Sequence, residues 1–283
     1  MRNTKPHKVF NIFNYLFLSL IGLAIVIPFL NIIAKSFSSY GAIAAGKVFI
    51  WPVEFNFDSY KIFIWSLFVT IILTLVGTSI SLISTLTLAY PLSRSYFMYR
   101  SVILKLILFT FLFGAPLIPT FLWIRALGLY DSLWALILPA AISPYYFFIL
   151  SSFINDFPNE LIEAARIDGC SEINTLFRIV LPLIKPAMAT FALFYAVGYW
   201  NTYMNAIIYL KNKGLMTLQV RLMSVLVETE MRTDGAESLG ITKMSPESVR
   251  MATILFATVP ILIVYPYLQK HFTVGLQMGA IKG

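Results

Sequence analysis

The chain has 283 residues, of which 59% are hydrophobic and 12% charged, with a formal net charge of +8. Soluble domains carry about 25% charged residues, so an ordinary water-soluble fold is excluded, and the polar stretches are too short to house a separate soluble domain. The positive charge flanks apolar runs, which is where headgroup anchors sit rather than a nucleic-acid footprint, and the one cysteine, Cys170, excludes an intrachain disulfide and any multi-cysteine metal site.

The N-terminus is basic (Arg2, Lys5, Lys8) and is followed by an apolar run over 12–34. That run is too long for the core of a signal peptide, and no small-residue cleavage site follows it, so it reads as a retained first span. Further spans are expected over 63–92, 102–124, 133–154, 187–210 and 251–270. The predicted fold class is therefore all-α: one polytopic transmembrane domain of six helices covering 1–283. Pro28, Pro116, Pro119, Pro139, Pro144, Pro260 and Pro266 fall in or near these runs. Neighbouring groups in a membrane bundle can satisfy the carbonyls that proline frees.

An even number of spans puts both termini on one side. The short connecting segments choose the side: Arg2, Lys5 and Lys8, together with Arg94, Arg100 and Lys105, stand against Arg125 alone. By the positive-inside rule both termini are expected in the cytoplasm.

No Asp, Glu, His, Lys or Arg lies between Ile62 and Ser93, Ser132 and Asn155, Pro186 and Leu210, or Met251 and Gln269. Proton-coupled carriers need an ionisable group at such depth, and a membrane enzyme needs an acid, base or nucleophile there. Neither is visible. Sodium coupling through backbone carbonyls leaves no such mark, so an ion-coupled secondary transporter of a small polar solute stays open at this point. Gly41-Ala-Ile-Ala-Ala-Gly46-Lys47 imitates a phosphate loop, but Val48 stands where Ser or Thr must hold Mg²⁺, so the match is accidental.

The most informative polar segment is 156–186, DFPNELIEAARIDGCSEINTLFRIVLPLIKP. Pro158 suits a first helical position, and Glu160 suits the first turn. Leu161, Ile162 and Ala165 form an apolar stripe, and Gly169 can end the helix in the left-handed conformation. Ser171 is placed to cap a second helix with Ile173, Leu176, Phe177 and Val180 as its apolar residues, ended by Pro182 and Pro186. The expectation is a helix–turn–helix between spans four and five, at the cytoplasmic face. The small pair Ala164-Ala165, beside Glu163, Arg166 and Asp168, suits close approach of another protein with charges that fix register.

This segment resembles the signature of bacterial ABC-importer permeases: Glu-Ala-Ala, three residues, Gly, nine residues, Ile, one residue, Leu-Pro. Here these are Glu163-Ala164-Ala165, Gly169, Ile179 and Leu181-Pro182. The resemblance implies that the helix is a coupling helix docked on a separate ATPase, with Glu163 pairing to a basic residue there and Ala164, Ala165 and Gly169 giving close packing and the turn. It further implies a second homologous permease, an ATPase dimer that binds ATP and Mg²⁺, and a solute-binding protein, in the bacterial inner membrane. The chain itself would hold no cofactor and perform no chemistry.

Ile118-Pro119, Leu127-Gly128-Leu129, Leu138-Pro139, Arg166-Ile-Asp-Gly169 and Trp200-Asn201 are similar to the carbohydrate branch, in particular the smaller maltose-type permease subunit and alginate-type oligosaccharide permeases. The tail Gly279–Gly283 is similar to a C-terminus that reaches the ATPase in some members. On a continuous fifth helix Gly198, Asn201, Thr202 and Asn205 share an arc, with Tyr195 and Tyr199 adjoining. Amides and rings suit sugar hydroxyls and CH faces, although interhelical hydrogen bonding is the other use of such residues. Tyr145 and Tyr146 are weaker candidates for the same path. The segment 51–60 and the loop 211–250 are the expected outer docking surfaces for a binding protein.

Overall fold

The computed structural model describes residues 8–156, 159–231, 247–260 and 262–263. Most of it is helical. Among the described residues the only sheet-like pairing is an isolated antiparallel bridge between Ser38 and Phe55.

In chain order the helices are α1 (Lys8–Ser36), α2 (Tyr40–Ala44), α3 (Asp58–Ser93), α4 (Arg100–Leu112), α5 (Leu117–Ala126), α6 (Trp134–Ile137), α7 (Pro144–Asn155), α8 (Asn159–Ile167), α9 (Glu172–Thr175), α10 (Leu181–Leu183), α11 (Lys185–Trp200), α12 (Met204–Tyr209) and α13 (Leu218–Met231). A π-helical turn, Leu176–Val180, joins α9 to α10. Residues 247–260 are also helical.

Among the described residues two helices are long and apolar enough to cross a bilayer unaided: Phe10–Ser36 within α1, and α3. At 36 residues α3 is about 54 Å long, well beyond the ~30 Å hydrocarbon layer, so it projects past the membrane. The segments Glu172–Leu183 and Lys185–Trp200 together pass the same test but turn by 84° between them. The three other internal runs are not single helices. The 102–124 run breaks at Phe113–Pro116, the 133–154 run breaks between α6 and α7, and the 187–210 run ends α11 at Trp200. In the first two the break runs up to a proline, Pro116 or Pro144, with an extended residue at the cap: Pro116 itself, and Ser143 before Pro144. Proline restricts the residue before it to extended backbone. The sixth expected span, 251–270, is helical as far as it is described, and its remainder lies outside the described residues, as do Pro158 and the tail Gly279–Gly283.

The described residues divide into two units, one within 1–64 and 222–261 and the other within 65–221 and 262–283. In the first, Ala34, Ala42, Ile43 and Val48 form a small core beneath α2. The Ser36 hydroxyl pairs with Tyr60 at 2.7 Å, Ser248 donates to the Ser36 carbonyl, and Lys35 bridges Glu247 at 2.6 Å. The Phe37 ring stacks on Phe55 and Tyr60.

The second unit has two apolar clusters. One joins the end of α3 (Leu86, Ala89, Tyr90) to α7 (Phe147, Leu150) and to Leu176 and Val180 of the π-helical turn. The other joins Leu73 of α3 to α6, α11 and α12. Between α3 and α11 the contact is close and hydroxyl-rich. Gly77, Ser81 and Thr85 recur every four residues on α3, facing Tyr195 and Tyr199 of α11. Small residues let backbones approach in this way, and hydroxyls bond across helices.

The connection after α12 is fixed by Asp131. Its Oδ1 accepts from the backbone N–H groups of Lys211 and Asn212 at 2.8 and 2.7 Å, and its own N–H donates to the Tyr209 carbonyl. Asp131 holds φ at 61°, a conformation that Asp and Asn tolerate better than other side chains. Replacing Asp131 with alanine removes both bonds and keeps the strained φ, and should destabilise the protein by about 1–3 kcal/mol. Asparagine keeps an acceptor oxygen and should recover most of the loss. Thermal unfolding midpoints in detergent check this ordering.

The expected outer loop 211–250 is partly helical, because α13 occupies its first half. Leu218 and Leu222 are buried, and the Leu218 N–H donates to Thr70 Oγ1 of α3.

Candidate functional site

Residues 159–183 form α8, a turn at Gly169 and a second helical segment that contains a π-helical turn and continues through Pro182 to Leu183. Helix α8 carries Glu160 in its first turn and Arg166 in its last, both favourable to the helix dipole. It ends in a Schellman arrangement. Gly169 has φ 78°, its N–H donates to Arg166 O, and the Cys170 N–H donates to Ala165 O. Ser171 then caps α9 by accepting from the Asn174 N–H.

The two faces of α8 are distinct. Ile162 and Ala165 are buried against the chain itself, whereas Glu160, Glu163, Ala164 and Ile167 are exposed. Those four stand at i, i+3, i+4 and i+7, one continuous helical stripe. Ala165 thus packs inward, and Ala164 is the small residue left on the outer face. Leu161 is turned out as well, although the apolar stripe places it with Ile162 and Ala165. Ile167 is 86% exposed and Ile173 is 70% exposed. The sequence reading names Ile173 among the apolar residues of the second helix and does not single out Ile167. Ile167 adds apolar surface to the outer stripe of Glu163 and Ala164. Asp168 and Gly169 lie exposed at the turn.

Arg166 is committed inside the chain. Its Nη2 and Nε donate to Glu172 Oε1 at 2.8 and 3.1 Å, and its guanidinium lies 4.1 Å from the centre of the Tyr96 ring. Burial by itself would raise the Glu172 carboxyl. Hydrogen bonds from Arg166, Tyr90 and Tyr96 outweigh it and hold the group below the usual carboxylate range. The same bond from Glu172 raises the Arg166 guanidinium further, so the pair is ionised throughout the physiological range.

The second group of candidates lies on α11 and the turn after it. The Tyr199 hydroxyl pairs with Ser81 at 2.9 Å and donates to the Ile137 carbonyl at 3.3 Å. The Tyr195 hydroxyl pairs with Thr85 at 2.7 Å and accepts from the Ser143 N–H at 3.1 Å. Both side chains are buried, so they brace α11 against α3 and the loop before α7. The single arc expected for Gly198, Asn201, Thr202 and Asn205 does not form, because α11 stops at Trp200. Asn201 Nδ2 donates back to Val197 O and Thr202 Oγ1 donates back to Gly198 O; such back-bonding competes with the helix ladder. Asn201 and Asn205 remain exposed on either side of the break. Tyr146 packs edge-on to Tyr195, and Tyr145 is more than half exposed. Among the described residues no group of His, Cys, Asp and Glu gathers as a metal ion requires.

Residues 77–277 match the family described as the binding-protein-dependent transport system inner membrane component. The chain belongs to that family. It is a permease subunit of an ABC transport system, a membrane component without enzymatic activity of its own. This membership sets aside the ion-coupled secondary transporter. The chain is 43% identical to Protein LplC of Bacillus subtilis (strain 168) over 100% of its length and 98% of the relative. It is 42% identical to the polygalacturonan/rhamnogalacturonan transport system permease protein YtcP of the same organism, over 98% of this permease and 99% of the relative. Among solved structures it is similar to a chain of a bacterial ABC transporter involved in the import of the acidic polysaccharide alginate, with TM-score 0.79 and 32% identity, covering 96% of this chain and 99% of that one.

Proposed function

We propose that this permease forms one half of the translocation pore of an ATP-driven importer of acidic oligosaccharides. The reading rests on full-length likeness to two uronate-related systems, the polygalacturonan/rhamnogalacturonan permease and the alginate importer. A second homologous permease completes the pore, a solute-binding protein delivers the sugar, and an ATPase dimer binds ATP and Mg²⁺. The chain crosses the bacterial inner membrane six times with both termini in the cytoplasm.

The coupling surface is the outer face of α8 and its turn: Glu163 and Ala164 at the centre, Asp168 and Gly169 at the end, with Ala165 and Arg166 holding the helix in place from behind. Asn201, Thr202 and Asn205 at the break after α11 supply amides and a hydroxyl to the sugar path, and Tyr195 and Tyr199 form the frame behind them. Exposed Arg125, Lys211 and Lys213 add positive charge that favours an anionic cargo.

The test is uptake by the reconstituted complex in proteoliposomes, comparing an oligogalacturonate with a neutral arabino-oligosaccharide of equal length. The acidic sugar should be favoured by about tenfold or more, the effect of one well-placed charge contact at ~1.4 kcal/mol. Equal uptake of the neutral sugar overturns the cargo. Uptake that follows an ion gradient without ATP overturns the whole reading.

A further inference from the structure

One carboxylate, Glu172, takes hydrogen bonds from an arginine of α8 and from a tyrosine of α3. Glu172 Oε1 takes both hydrogen bonds from Arg166 of α8, and Glu172 Oε2 takes a 2.8 Å bond from the Tyr90 hydroxyl in the last turns of α3. Glu172 thereby joins the coupling helix to the longest span by side-chain bonds alone.

The Arg94 guanidinium lies over the Tyr90 ring, 4.8 Å from its centre. Only 6% of this residue is exposed. Its Nε and Nη2 are buried with no hydrogen-bond partner. A buried guanidinium with unmade bonds is unfavourable, and the carboxylate bonded to the neighbouring Tyr90 is held by a different arginine. Two-state proteins exchange salt bridges between their arrangements.

We propose that Glu172 is the positioning residue that transmits displacement of α8 to the end of α3, held by Arg166 in the arrangement seen here and by Arg94 once α8 is drawn away. The inference rests on the reading of α8 as the coupling helix. When the ATPase pulls α8, the Arg166–Glu172 bond breaks and the freed carboxylate swings past Tyr90 to satisfy Arg94. Tyr90 donates to the carboxylate in the arrangement seen here and marks the route. The exchange keeps the Glu172 carboxylate paired at both ends of the stroke, satisfies the buried Arg94 at one of them, and gives α3 two discrete positions relative to α8.

The experiment uses the full complex in proteoliposomes and reads sugar transported per ATP hydrolysed, with co-purification of the ATPase as a second readout. The decisive variant is Arg94→Gln, which removes no hydrogen bond present in this structure. It should lower transport per ATP about tenfold, the size of an ordinary coupling free energy, with the ATPase still bound. Glu172→Gln should do the same, and Arg166→Glu combined with Glu172→Arg should restore part of what Arg166→Glu alone loses. Wild-type coupling in Arg94→Gln overturns the exchange, and wild-type coupling in Glu172→Gln overturns the link. Glu163→Arg serves as the control on the underlying reading. If Glu163→Arg retains full transport, α8 is not the coupling helix. If it abolishes transport while Arg94→Gln and Glu172→Gln behave as wild type, only the present inference fails.

Discussion

Replacing Glu163 with arginine should abolish ATP-driven uptake while the protein stays in the membrane at its normal level. The expectation follows from the two faces of α8. Among the described residues Glu163 has no bonded partner, and it is exposed at the centre of the outer stripe, so the fold does not need it. On the proposed reading, the ATPase surface that receives α8 does. Reversing a charge at the centre of an interface costs about 2 kcal/mol or more, roughly a thirtyfold loss in affinity. Ile167→Asp should act similarly, because Ile167 is 86% exposed on the same stripe and burying an unpaired carboxylate at an interface is unfavourable. Ala165→Leu should fail differently. Ala165 is buried against the chain itself, so the larger side chain disturbs the fold and lowers the amount of protein. Membrane abundance, ATPase co-purification and uptake, measured together, separate the two failures. Full uptake in Glu163→Arg would mean that the stripe docks nothing.

What was legible in the sequence was local. The long apolar helices at the first two expected spans, the Gly169 turn and the Ser171 cap each depend on a few neighbouring residues, and each forms. Interrupted spans were harder. Gly114-Ala115-Pro116 and Ser143-Pro144 lie inside runs whose average hydropathy is that of a span, and averaging hides the break. The prolines were visible, but whether proline kinks a helix or ends it depends on what satisfies the freed carbonyls.

Facing was not legible. Glu163-Ala164-Ala165 reads in the sequence as one small-residue surface, yet the chain buries Ala165 and exposes Ala164. The link from Arg166 to Glu172 crosses a turn, so no helical period connects the two residues, and Tyr90 lies 82 positions from Glu172. Tyr195 and Tyr199 offered rings and hydroxyls that suit a sugar. Their actual partners, Ser81, Thr85, Ile137 and Ser143, come from distant parts of the chain. Hydropathy cannot distinguish a hydroxyl spent on a neighbouring helix from one offered to a cargo.

The contact that positions those tyrosines gives the sharpest stability test. Gly77→Ala adds one methyl group to α3 and should destabilise the protein by about 1–3 kcal/mol, the usual penalty of overpacking. A Cβ at Gly77 would lie 2.7–2.8 Å from Cζ, Cε1 and Cε2 of Tyr199. The ring cannot swing aside, because its hydroxyl is bonded to Ser81 and to the Ile137 carbonyl. Relief must come from separating α3 and α11, which also strains the Tyr195–Thr85 bond one turn away. Intrinsic helix propensity predicts the opposite sign, since alanine is favoured over glycine by about 1 kcal/mol in a helix interior. Gly22→Ala in α1 supplies the comparison: nothing lies within 4 Å of its added Cβ, and it should be neutral or mildly stabilising. In a Tyr199→Ala background the Gly77→Ala penalty should largely vanish, because the two sites share one contact and do not add. Unfolding midpoints of the four proteins of that cycle, measured in the same detergent, decide the matter. Additive effects would show that Tyr199 does not rest on Gly77, and the frame behind Asn201 and Asn205 would then have to be held by other contacts.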